Sequence, residues 1–189
     1  MRAESEAEPD DLLGGVGEPM PPFTYIPGGP WPRPSLGAAG LLAGKSPRGE
    51  IPPIGEEHGA SSPAFRLGVR LYNAGYYWEA HEAWETLWHA IGRTGPTADV
   101  LKGLITLAAA GVKVRQGQPR GVATHAGRAA VLFRASRERT GRDRLLGIDL
   151  VGLEAVALRV AARPPVGPGP EAGVVPGLLG PPIEPLSEE

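Results

Sequence analysis

Between residues 64 and 162 apolar side chains recur at helical rather than strand spacing, and five segments carry the pattern. Ser62-Pro63 reads as a cap and first-turn pair for a helix over Ala64–Asn73, which sets Phe65, Val69 and Tyr72 along one side. Gly75 marks a turn, and a second helix over Tyr76–Ile91 stops at Gly92, where a left-handed residue ends a helix. Gly95-Pro96 closes the next loop. The third helix, Thr97–Gln116, is apolar nearly all round: Val100, Leu104, Leu107, Ala108 and Gly111 make one stripe, with Leu101, Ile105 and Val112 beside it, so it is the predicted centre of the bundle. Pro119 opens a fourth to about Arg139, with Val122, Ala126, Ala129 and Phe133 inward. A fifth, from about Arg142 to Ala162, carries Leu146, Leu150, Leu153, Ala157 and Val160, and Pro164-Pro165 stops it. No hairpin signal and no internal repeat interrupts this stretch, so the pattern predicts an all-α bundle of four to five helices.

Proline and glycine bound that unit. Residues 1–60 contain 11 Pro and 11 Gly, residues 163–189 contain 8 Pro and 5 Gly, and residues 64–162 contain Pro only at 96 and 119. Without sustained apolar period such segments cannot offset the entropy of ordering. The expected organisation is a disordered Pro/Gly-rich tail over 1–60, a helical domain over 61–162 and a second disordered tail over 163–189. About a hundred residues support one hydrophobic core.

Composition narrows the chemistry. The chain has no cysteine, which removes disulfides and thiolate metal or redox sites and suits a reducing compartment, with the cytoplasm as default. The acidic start Met1-Arg2-Ala3-Glu4 lacks a signal peptide's apolar stretch, and the longest apolar run, Leu104–Val112 between Lys102 and Lys113, is too short to span a bilayer. No Gly-rich phosphate loop follows a strand, and no cofactor motif is present. Gly103 and Gly111 on the central helix are read as sites of close helix approach. The net charge of −2 is segregated: residues 61–162 hold 14 basic and 8 acidic side chains, and nine of the basic ones lie between Lys113 and Arg144. Arg115, Arg120, Arg128, Arg134, Arg137, Arg139, Arg142 and Arg144 are suited to phosphate contacts. No nucleic-acid motif or interleaved aromatic accompanies them, so a solvated helix face is the stronger reading.

The densest polar grouping lies on the second helix, Tyr76-Tyr77-Trp78-Glu79-Ala80-His81-Glu82-Ala83-Trp84-Glu85-Thr86-Leu87-Trp88. Helical spacing sets Trp78, His81, Glu85 and Trp88 on one face, Ala80, Ala83, Trp84 and Leu87 on the next, and Glu79, Glu82 and His89 largely opposite. His81 and Glu85 are the candidate catalytic pair. Trp78, Trp88, Asn73 and Lys102 complete the candidate binding set. Three readings of the pair stay open: a buried hydrogen-bonded pair that fixes the packing, a pocket for a small molecule, or a metal site. The last is disfavoured because only two ligands stand at ligand spacing, with His125 a remote third, so no metal is expected.

This stretch resembles a bacterial and archaeal family, the domain of unknown function DUF309, whose signature reads His-x-x-x-Glu-x-x-Trp. His81, Glu85 and Trp88 supply it. Asn73-Ala74-Gly75-Tyr76, Gly103-Leu104-Ile105 with Leu107-Ala108-Ala109, and Gly117 with Arg120-Gly121 match the family's flanking segments, over roughly Phe65 to Phe133. Thr94 stands where the family tends to have proline, and Lys102 where it often has glutamine. The resemblance implies an all-α bundle and no established activity.

Overall fold

The computed structural model describes residues 20–33 and 62–185; the tail assignments for 1–19, 34–61 and 186–189 lie outside the described residues. Among the described residues five helices carry the fold, α1 Pro63–Asn73, α2 Tyr77–Ala90, α3 Pro96–Arg115, α4 Pro119–Thr140 and α5 Leu150–Ala162. Each of the first three ends in the same way. Gly75, Gly92 and Gly117 take positive φ, and paired backbone bonds reach back to the last turn, as in Gly92 N–H to His89 O with Arg93 N–H to Trp88 O. The Ser62 hydroxyl accepts from Phe65 N–H at 3.4 Å, and proline opens α1, α3 and α4.

α3 is the central element, flanked by α2 and α4, with α1 packed on α2 and α5 on α4. All eight apolar residues assigned to its two stripes are buried. Close approach is met by small residues, as expected: a Cβ on Gly103 would lie 2.5 Å from the Phe133 ring of α4, and one on Gly111 2.5 Å from the Tyr77 ring of α2. Trp84 is fully buried and donates its indole N–H to Phe65 O, joining α2 to α1.

Two expectations change. The fifth helix begins at Leu150, not near Arg142, because residues 144–149 form a small hairpin that the sequence reading did not anticipate. Arg144 pairs with Asp149 and Leu145 with Ile148, around a two-residue turn in which Leu146 and Gly147 both hold positive φ, 56° and 73°. Leu145, Leu146 and Ile148 are buried, so core burial offsets a left-handed leucine, and Asp149 then caps α5 by accepting from Val151 N–H.

The second change concerns the flanks. Residues 20–33 and 163–185, assigned above to the tails, lie against the bundle, and the packed unit extends beyond 61–162. Ile26 of the N-terminal strap and Leu179 and Ile183 of the C-terminal strap are buried. Neither strap has regular secondary structure; each is held by side chains that satisfy its backbone. Glu79 accepts from the Thr24 hydroxyl at 2.7 Å and from Tyr25 N–H at 2.8 Å. Arg115, 1% exposed, donates to the carbonyls of Pro168, Gly169 and Ala172. Proline and glycine excluded helix and sheet from these segments without excluding order.

Candidate functional site

The polar face of α2 is set by its other face. Ala80, Ala83, Trp84 and Leu87 are buried against α1 and α3, and this fixes the helix rotation so that His81, Glu82 and Glu85 emerge along one edge. His81 Nε2 lies 3.8 Å from Glu85 Oε2, with side chains 25% and 37% exposed. The pair is neither sealed in the core nor in direct hydrogen-bond contact. Behind it, His81 Nδ1 lies 3.2 Å from the carbonyl of Ile105 on α3. A carbonyl only accepts, so Nδ1 carries the proton, and in the neutral ring Nε2 is left as an acceptor.

Aromatic rings frame the pair. The Trp78 ring lies nearly parallel to the imidazole, 6.1 Å between centroids, and Trp88 lies beyond Glu85 with the Lys102 ammonium 4.3 Å from its ring centroid and the Arg93 guanidinium 5.6 Å away. Thus Trp78, His81 and Glu85 lie together, and Lys102 packs on Trp88. Asn73 does not join them. Its side chain donates to Ile183 O and accepts from Ile183 N–H, both at 2.8 Å, which makes it an anchor of the C-terminal strap. It lines a separate cleft of about 250 Å³ with Tyr72, Tyr77 and Leu179.

Two acidic residues placed opposite the site by helical spacing have other roles. Glu82, its side chain 12% exposed, turns toward the pair, and its carboxylate, the Glu85 carboxylate and a His81 ring nitrogen all lie within 4.8 Å of one another. Glu79 is 7% exposed and holds the N-terminal strap. Burial pushes its carboxyl above the ordinary 4.5, against the opposing effect of the Tyr25 and Thr24 hydrogen bonds. The strap in turn borders the site. Tyr25 meets the Trp78 ring edge-on at 4.8 Å, Arg33 stands over that ring at 5.3 Å, and the Arg33 guanidinium lies 3.8 Å from Glu82. Trp31 of Pro30-Trp31-Pro32 stacks on Phe23 of the same strap. His125 on α4 stays outside the converging ligand atoms; its pKa is lowered by burial first, then by Lys113, Arg128 and His81.

Four of the eight arginines of the basic region are occupied within the fold. Arg134 and Arg137 clasp Glu154 of α5, Arg137 also holds Asp143, Arg139 pairs with Asp99 at the start of α3, and Arg115 is buried. Among the described residues no helix is long and apolar enough to cross a membrane.

Fold and site together describe a small helical bundle with a His/Glu/Trp face on its second helix. Residues 65–124 match the profile of the family described as a domain of unknown function, DUF309. The matched stretch spans α1, α2, α3 and the start of α4, and so includes the whole polar face of α2. No curated protein matches the chain.

Proposed function

We propose that this domain is a binding module whose working surface is the outer face of α2, where His81, Glu85 and Trp88 take a small polar ligand, with Trp78 and Lys102 at the margins. One observation carries the reading. The imidazole is braced from behind by the Ile105 carbonyl, while its Nε2 edge and the Glu85 carboxylate stand at the surface 3.8 Å apart. A pair serving only to fix helix packing gains most when sealed and directly bonded; this one is open and spaced. Indole faces beside converging polar groups supply the apolar area and orientation typical of ligand sites.

The test is thermal denaturation of the full chain in EDTA against amines, carboxylates and phosphate esters at millimolar concentration. A compound present at 100 times its dissociation constant stabilises the fold by about 2.7 kcal/mol. The reading expects at least one class to raise the melting temperature of the wild type and to fail with Glu85→Gln and His81→Ala. If no class shifts the wild type, or the shift survives both substitutions, the α2 face is not a site for small polar molecules.

A further inference from the structure

We infer that the ligand the α2 face accepts most directly is a divalent first-row transition-metal ion, held by His81 Nε2 and the carboxylates of Glu82 and Glu85, with the Arg33 guanidinium of the N-terminal strap competing for the same charge. The inference rests on the reading of this face as a binding site and names the ligand class.

Two independent features point to it. The first is convergence: an imidazole and two carboxylates from adjacent turns of one helix offer three ligand atoms within 4.8 Å of one another. In a tetrahedral site with Zn–N and Zn–O bonds of about 2.1 Å, ligand atoms stand ~3.4 Å apart. His81 Nε2 and Glu85 Oε2 are already at 3.8 Å, so small side-chain rotations bring the set to coordination distance. The second is the state of the imidazole. Nδ1 donates to the Ile105 carbonyl, which fixes the ring and, when the ring is neutral, leaves Nε2 an acceptor 3.8 Å from a carboxylate oxygen that also only accepts. Two acceptors face one another across a gap too wide for a direct hydrogen bond. A cation between them satisfies both, and a backbone carbonyl behind the ring is the usual support of a metal-bound histidine.

One nitrogen and two oxygens from the protein leave further coordination positions for water or a bound molecule, the composition of open rather than purely structural sites. Nitrogen and carboxylate donors without thiolate suit Zn²⁺, Mn²⁺ or Fe²⁺. Arg33 sets the outer boundary. Its guanidinium lies 3.8 Å from Glu82 Oε1 on an arginine side chain that is 63% exposed, so it offers Glu82 a weak, displaceable partner. The strap therefore tunes metal affinity without supplying a ligand.

The experiment is titration of the full chain, stripped with EDTA and dialysed, with Zn²⁺ against a chromophoric chelator, and with Co²⁺ monitored by visible absorption. One ion per chain is expected, with the intense visible bands of a low-coordinate Co²⁺ site. Glu82→Gln and His81→Ala should each weaken binding by at least about tenfold, the scale of losing one ligand or its support. Circular dichroism of both variants separates lost ligation from lost fold. Arg33→Ala should tighten binding up to about fivefold, the scale of an exposed ion pair. Absence of stoichiometric binding to the folded wild type, or binding that Glu82→Gln and His81→Ala leave unchanged, overturns the inference. Small-molecule stabilisation that persists in EDTA would in that case leave the binding-site reading standing, whereas its absence as well would remove both.

Discussion

Replacing Glu79 separates the two effects of burying a carboxylate. Glu79→Ala deletes the acceptor for the Thr24 hydroxyl, which is buried, and for Tyr25 N–H, which is half-buried. An unsatisfied buried donor costs about 1–3 kcal/mol. Water reaches the Tyr25 amide in part, and the desolvation of the carboxylate is relieved, so the net loss expected is about 2 kcal/mol. Glu79→Gln behaves differently. Its carbonyl still accepts from Tyr25, and its amide N–H donates to Thr24 Oγ, whose hydroxyl rotates to accept, so at neutral pH the variant should stay within about 1 kcal/mol of wild type. The pH dependence is sharper still. Because burial raises the folded-state pKa of Glu79 above 4.5, the folded chain binds the extra proton; this contribution is fully present below 4.5 and is lost as pH rises through the raised value. Wild-type strap docking should therefore weaken as pH climbs from 4.5 toward neutrality, relative to Glu79→Gln. Urea melts at pH 5 and pH 8, followed by indole fluorescence, read this directly, since Trp31 lies in the strap and Trp78 beneath it. Equal losses in the two variants, or superimposable pH profiles for wild type and Glu79→Gln, would refute the assignment of Glu79 as a buried strap anchor.

Other consequences follow from the same contacts. His81→Ala and Glu85→Ala should each change stability by less than about 1 kcal/mol and couple weakly, because a half-buried pair at 3.8 Å has no direct hydrogen bond to lose and the Ile105 carbonyl lies within α3; a urea-melt cycle with coupling above that would mean the pair closes in solution. Arg115→Met should destabilise by about 3 kcal/mol, because three carbonyls lose their charged donor, and limited proteolysis should then cut first within residues 163–185. A chain trimmed to residues 61–162 should remain helical by circular dichroism but lose on the order of 2–4 kcal/mol, since burial of Ile26, Leu179 and Ile183 is lost while the entropy cost of ordering the straps is relieved. An unchanged melting temperature would show that the straps contribute nothing to the core.

The helices were legible because each repeats its apolar stripe over several turns and carries explicit stops: the ends at Gly75 and Gly92 and the burial of Trp84 and Phe133 follow from spacing alone. The hairpin at 144–149 was not, because Leu146 stands at helical spacing from Leu150, Leu153, Ala157 and Val160 and so continues the stripe of α5, while a leucine in the left-handed region has no turn propensity to betray it. The straps escaped for a related reason. They have no period, and their order depends on partners more than fifty residues away, such as Glu79 for Tyr25 and Asn73 for Ile183. The run Phe23-Thr24-Tyr25-Ile26, β-prone residues inside a Pro/Gly-rich stretch, was the available signal. At the site, spacing grouped His81, Glu85, Trp78 and Trp88. It set Glu82 apart because a helical wheel records Cβ directions, whereas a glutamate reaches two bonds further and can swing round to join its neighbours. Asn73 illustrates the converse error: a polar residue beside a motif is available for chemistry only if the backbone has not already claimed it.

The way Arg115 holds residues 168–172 sets what mutation can do to that part of the chain. A guanidinium that grips main-chain oxygens reads the path of a segment and not its side chains, and every amino acid carries the oxygen it needs. Positions 168, 169 and 172 can therefore drift through many residue types without losing their attachment, provided the chain keeps its course. The single arginine at the end of α3 has no such latitude: lysine would bring one ammonium where a fork reaches three separate carbonyls. Selection on this contact falls almost wholly on one partner, so a segment that looks unconstrained residue by residue is fixed from the opposite side.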